Sequence, residues 1–74
     1  MPLVKKSLAL AGHRTSLSLE PEFWAEIERA AGEDGLSVAA LIGRIDTERG
    51  DEPLASSVRV WVLGRLNARL RVQG

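Results

Sequence analysis

The sequence contains no cysteine and no tyrosine, and aromatic residues make up only 4% of its 74 residues. Without cysteine there are no disulfides and no thiolate metal sites, so packing alone must stabilise the fold. The scarcity of aromatics predicts a core of Leu, Val, Ile and Ala around Phe23, Trp24 and Trp61. A single domain of this length buries only a modest core, which favours association with a second copy.

Long apolar runs are also missing. The apolar stretch that follows Lys5 and Lys6 is cut short by Gly12, His13 and Arg14. It is too short for a secretory signal peptide or a membrane span. We therefore expect a cytoplasmic protein without a membrane partner.

The sequence has few of the residues that carry catalysis. There is one histidine, and the chain shows no nucleophile and base pair, no phosphate-binding glycine loop and no cluster of metal ligands. We therefore expect a protein that is not an enzyme and that uses neither a metal nor another cofactor.

The sequence has no net charge, but its charged residues are unevenly distributed along the chain. The formal net charge is zero, yet residues 1–19 and residues 54–74 contain basic side chains and no acidic ones. Acidic residues are concentrated in residues 20–34 and outnumber basic ones again in residues 35–53. This asymmetry predicts that a neutral protein presents one cationic face.

Residues 14–19 read Arg-Thr-Ser-Leu-Ser-Leu, which alternates polar and apolar side chains. A period of two is typical of a half-buried β-strand. The apolar face would hold Thr15, Leu17 and Leu19, and the polar face would hold Arg14, Ser16 and Ser18.

The preceding residues also alternate, but Leu8 and Leu10 are even-numbered whereas the later leucines are odd-numbered. One flat strand would place the two sets on opposite faces, so the register must change between them. Gly12 can do this as a bulge, or a tight turn at Gly12-His13 can fold the preceding residues back as a hairpin. Residues 1–12 are thus either an N-terminal arm or an extra strand.

Two amphipathic helices follow. The first is predicted from Pro21 to about Glu33, because proline and acidic residues suit a first turn, and Gly35 suits its C-terminal end. Ser37 is the expected N-cap of the second helix. The apolar stripe of this helix consists of Val38, Leu41, Ile42 and Ile45.

A third helix is predicted after Pro53. It would begin between Leu54 and Ser57, be capped by one of the serines, and continue past Leu70. Its apolar arc is wide, which suggests contact with two neighbours, as in a dimer.

The strand, the acidic helix start and Gly35-Leu36-Ser37 at the second helix together resemble the ribbon-helix-helix family of small bacterial DNA-binding proteins, over residues 13–50. Residues 12–24 are similar to a largely uncharacterised branch of that family. Their sequence is Gly-His-Arg-Thr-Ser-Leu-Ser-Leu-Glu-Pro-Glu-Phe-Trp. The resemblance implies a mainly α fold with one short strand per chain. It implies an intertwined homodimer with an intermolecular antiparallel β-ribbon, extended by a C-terminal helix over residues 54–74.

The resemblance also implies which residues bind DNA. The ribbon would enter the major groove, with Arg14, Ser16 and Ser18 contacting bases. The start of the second helix would bind phosphate through the region of Ser37, Val38 and Ala39. Further phosphate contacts are expected from Lys5, Lys6 and His13, although His13 also suits a turn.

Two copies of the chain would then share a core. The residues expected in it are Leu17, Leu19, Trp24, Ile27, Leu41, Ile42, Ile45, Trp61 and Val62. The expected partners are a second copy and double-stranded DNA. The expected function is that of a sequence-specific DNA-binding protein and transcriptional regulator, such as a repressor.

Two other interpretations remain open. An antitoxin-like dimer would use its third helix, or residues 1–11, to bind another protein, although the same segments can instead supply phosphate contacts. A monomeric three-helix domain with a local hairpin is the third interpretation.

Overall fold

The protein is described here by a computed structural model covering residues 2–73, with only the backbone of Gln73. Residue 1 of the expected N-terminal segment and residue 74 of the expected C-terminal helix lie outside this range. The chain forms, in order, β1 (Val4–Leu10), β2 (His13–Leu19), α1 (Pro21–Asp34), α2 (Val38–Glu48) and α3 (Leu54–Gln73).

The two strands form one antiparallel hairpin within the chain. Its two-residue loop is Ala11-Gly12, and both residues have positive φ, 50° and 82°, as a type I′ turn requires. The expected turn at Gly12-His13 is therefore wrong by one residue, because Gly12 occupies the second loop position and His13 already belongs to β2. The expected count of one strand per chain is also wrong, because β1 supplies the second strand.

The pairing of the two strands explains why the leucines of β1 have even numbers and those of β2 have odd numbers. Leu10 faces His13 and Lys6 faces Leu17, so even residues of β1 share a face with odd residues of β2. On this inner face Leu10, Leu17 and Leu19 are buried. Chain reversal, and not a bulge, brings the two sets of leucines into one core.

The end of α1 and the start of α2 lie where the sequence predicts. Gly35 follows α1 in the left-handed conformation with φ 69°, and the Leu36 N–H donates to the Ala31 carbonyl at 2.8 Å. Ser37 is the N-cap of α2, where its hydroxyl accepts a hydrogen bond from the Ala40 N–H at 3.0 Å. Both predictions are confirmed.

The start of α3 differs from the prediction. The helix begins at Leu54, and the Ser57 N–H donates to the Pro53 carbonyl at 3.0 Å. Ser56 and Ser57 lie inside the first turn, so the expected serine cap is wrong: the carbonyl of Pro53 already accepts the first helical hydrogen bond. No helix within residues 2–73 is both long and apolar enough to cross a membrane.

The core lies between the inner face of the hairpin and the three helices, and it closes within one chain. Eight of the nine residues expected in a shared dimer core are buried in a single copy, and Trp61 is half-buried. Their burial therefore needs no partner. The buried residues are Leu10, Leu17, Leu19, Trp24, Ile27, Ala30, Ala31, Leu41, Ile42, Ile45, Val58 and Val62.

Candidate nucleic-acid interface

The hairpin turns one face away from the core, and we call it the outer ribbon face. Alternation along the two strands places three cross-strand pairs on this face. Five of the six residues are exposed and Ser18 is half-buried. The pairs are Lys5 with Ser18, Ser7 with Ser16, and Ala9 with Arg14.

The outer ribbon face is cationic and rich in hydrogen-bonding groups. It carries the positive charges of Lys5 and Arg14, the hydroxyls of its three serines, and no carboxylate. Neither Lys5 nor Arg14 forms an ion pair or a side-chain hydrogen bond with any residue in the range 2–73. Both cations are thus available to an anionic partner.

Most of the positive charge of α3, by contrast, is neutralised within the chain. Three of its arginines contact acidic side chains at the two ends of α1, at distances of 2.7–3.1 Å. They are therefore poorly placed to supply phosphate contacts. The pairs are Arg59 with Glu20, Arg65 with Glu33 and Asp34, and Arg69 with Glu33.

These ion pairs change the acidity of the groups they join. Hydrogen bonds from Arg65 lower the pKa of Glu33 and of Asp34, although partial desolvation opposes both shifts. A hydrogen bond from Arg59 lowers the pKa of Glu20 in the same way. The pKa of Arg65 itself is raised, chiefly by its hydrogen bond to Asp34. The acidic side chains at the two ends of α1 therefore stay ionised at neutral pH, paired with the arginines of α3.

Two of the expected phosphate contacts lie on the inner side of the hairpin. The Lys6 ammonium is 3.4 Å from the Glu28 carboxylate and 4.7 Å from the centre of the Trp24 ring. His13 is exposed beside the loop, where it pairs with Leu10. The structure therefore brings Lys5, but neither Lys6 nor His13, onto one face with the expected base contacts.

The third group of expected contacts lies at the start of α2, which packs against β1 and α3. The Ser37 hydroxyl is used to cap the Ala40 N–H. Val38 and Ala39 occupy the first turn, where an α-helix leaves its N–H groups without partners of its own. This end of α2 thus offers backbone donors and the positive end of a helix dipole.

Sequence reasoning missed Ser7 and Ala9 as members of the polar face. Their alternation with Leu8 and Leu10 is visible in the sequence, but it assigns them to a surface only once the hairpin register is known. The signal that could have found them is the two-residue loop Ala11-Gly12, which fixes Ser7 opposite Ser16.

A cationic two-stranded ribbon on a helical core is the arrangement found in β-ribbon DNA-binding proteins. A family model described as a ribbon-helix-helix domain matches residues 3–66, and the chain therefore belongs to that family. Domains of this family bind DNA in transcription regulators or antitoxins, commonly form dimers, and are typically not enzymes. Neither a curated protein nor a solved structure matches the chain.

Proposed function

We propose that the protein is a sequence-specific DNA-binding protein, a transcriptional repressor that inserts its hairpin into the major groove with the outer ribbon face towards the bases. The observation that carries the proposal is the pair of free cations on that face, with three hydroxyls and no acid. The major groove of B-DNA is wide enough for a two-stranded ribbon. Exclusion of acidic side chains from this face removes the main electrostatic barrier to its approach.

The residues of the outer ribbon face suit different parts of the duplex. Arg14 is the strongest base reader, because a guanidinium can donate two hydrogen bonds to guanine O6 and N7. Ser16 and Ser18 can donate or accept, and Ser7 adds a third hydroxyl from β1. Lys5 suits a phosphate, as do the N–H groups at the start of α2 near Ser37.

Dimerisation takes a different form from the one the family resemblance implies. An intertwined dimer shares its ribbon between two chains, whereas here β1 supplies the second strand to β2. We retain a homodimer in the proposal but without strand exchange. Each copy would then read one half-site with its own ribbon, in the cytoplasm of a bacterium.

The proposal is tested by selecting duplexes from a random pool with the full chain and then comparing two variants. Arg14→Ala should lose roughly 1–3 kcal/mol of affinity for the selected duplex, which is the range for a bidentate base contact. Arg29→Ala is the matched control. It makes the same change of charge at an arginine of α1 that is 52% exposed and does not belong to the outer ribbon face. Its affinity should be unchanged.

Salt dependence separates base contacts from phosphate contacts. The logarithm of the affinity should fall linearly as the logarithm of the salt concentration rises. Lys5→Ala should weaken binding to all duplexes alike and reduce the slope by about one, whereas Ser7→Ala should change which duplexes are selected. If Arg14→Ala and Arg29→Ala bind equally well, the ribbon does not read bases.

A second function is favoured by apolar residues that α3 leaves exposed. Leu63, Leu70 and Val72 are 58%, 64% and 86% exposed. Such residues suit an antitoxin-like module that binds another protein. Selection of no duplex by the wild-type chain would favour this function over the first.

A further inference from the structure

Helix α3 has apolar residues on both of its sides. Val58 and Val62 are buried in the core, and the opposite side carries what we call the outer α3 stripe. This stripe has heptad spacing of three, four and three residues, which is typical of a helix that pairs with another helix. It consists of Val60, Leu63, Asn67 and Leu70, all of which are exposed.

Gly64 lies beside the stripe in the middle of α3. A glycine in a helix interior is about 1 kcal/mol less favourable than alanine. A Cβ added at Gly64 would meet nothing within 4 Å. Packing within the chain therefore does not require glycine here, whereas the missing side chain allows a second helix to approach closely.

A groove of about 630 Å³ adjoins the stripe between α2 and α3. Val60 belongs to both features, and Leu41, Ile45 and Trp61 line the groove with it. The stripe is thus one part of a larger apolar surface.

The charges around this surface indicate what binds it. Glu48 and Glu52 lie at the rim of the groove, near the start of α3, and form no ion pair within residues 2–73. Arg44 also lines the groove without an ion pair in this range, so the unpaired charges of the rim are two negative and one positive, and the rim is acidic on balance. Arg71 lies on the side of α3 that carries Gly64, since it follows by seven residues, and it also forms no ion pair within the described part of the chain. From Leu54 to Arg71 the helix rises about 26 Å. These opposite charges are therefore too far apart to meet within one copy.

We infer that the outer α3 stripe is the interface of a homodimer in which the α3 helices of two copies pack antiparallel. In this arrangement Arg71 of each copy lies near the acidic rim of its partner, and the two contacts are equivalent, as two-fold symmetry requires. A parallel pair would instead place the two Arg71 side chains together. The inference rests on the homodimer of the proposed function and names its interface, and it concerns assembly in the absence of DNA.

The test is the mass of the full chain in solution, measured by sedimentation equilibrium without DNA. The wild type should have twice the 8.0 kDa mass of one chain. Leu63→Glu should raise the dimer dissociation constant by at least about tenfold, because it buries a charge at the interface. Leu63 is 58% exposed in a single copy, so circular dichroism should show an intact fold.

Val72→Glu is the matched control. Val72 is an aliphatic residue of the same helix, is 86% exposed, and follows Leu63 by nine residues, which places it on the opposite side. Its dimer should persist. Equal effects of the two substitutions would overturn the inference, and so would a wild-type chain that is monomeric at every concentration.

Exchange of the charges tests the antiparallel arrangement. Arg71→Glu and Glu52→Arg should each weaken the dimer, and the double variant should recover at least half of the loss on a logarithmic scale. Absence of recovery would overturn the antiparallel arrangement. Because no DNA is present, failure of the proposed DNA binding would leave these outcomes unchanged.

Discussion

Trp24 joins α1 to β1. Its ring is 97% buried, its indole N–H donates to the Val4 carbonyl at 2.8 Å, and the Lys6 ammonium lies over the ring. The start of β1 is thus held by a residue of α1. The sequence places Trp24 on an apolar helical stripe, but it cannot indicate the acceptor of the indole N–H, because Val4 is far away along the chain.

Trp24→Phe should destabilise the fold by about 1–3 kcal/mol, because it removes this hydrogen bond and part of a buried ring. Urea denaturation measures the loss, and amide exchange should be fastest near Val4. Trp61→Phe is the control, since the Trp61 indole forms no hydrogen bond within residues 2–73. Equal losses in both variants would mean that the hydrogen bond to Val4 contributes nothing.

The hairpin loop carries a residue that does not suit its backbone. Ala11 has φ 50°, a region that alanine avoids at a cost of roughly 1–2 kcal/mol, whereas asparagine tolerates it. Ala11→Asn creates the Asn-Gly pair preferred in type I′ turns, so the melting temperature should rise. The control is Ala9→Asn in the extended part of β1, which should bring no gain. A lower melting temperature for Ala11→Asn would show that the loop has another conformation.

Elements whose evidence is local could be predicted from the sequence. Both bounds of α1 and the start of α2 follow from Pro21, Gly35 and Ser37, each of which acts on its own turn of helix. The sequence leaves the pairing of β1 open, because Gly12 fits a bulge as well as a turn, and only contacts between the strands distinguish the two. The predicted serine cap of α3 is wrong, because Pro53, Ser56 and Ser57 all suit a helix start and the sequence does not distinguish them.

Across the whole molecule, the acidic and basic segments of the sequence have separate roles. The sequence predicts a cationic face from their asymmetry, but it does not indicate that the acidic ends of α1 bind the arginines of α3. Once those charges are paired, Lys5 and Arg14 of the hairpin remain without an ion pair within residues 2–73. Net charge and segment charge therefore predict an electrostatic surface only when the contacts between segments are known.

Acid should weaken the contact between α1 and α3. The pKa values of Glu33 and Asp34 are lowered in the folded chain, chiefly by hydrogen bonds from Arg65. Their contribution to stability is present above the unfolded pKa values, near 4, and is lost as the pH falls through the folded values. The melting temperature should therefore fall as the pH is lowered below about 4.

Arg65→Met should lower the melting temperature at neutral pH and make its decline in acid shallower, because the two carboxylates then lose the partner that lowers their pKa. Arg14→Met is the matched control, since Arg14 forms no ion pair within residues 2–73 and does not contribute to the lowered pKa of Glu33 or Asp34. Its decline should follow that of the wild type. If both variants decline as steeply as the wild type, other groups cause the loss of stability in acid, and the ion pairs of Arg65 do not hold α3 against α1.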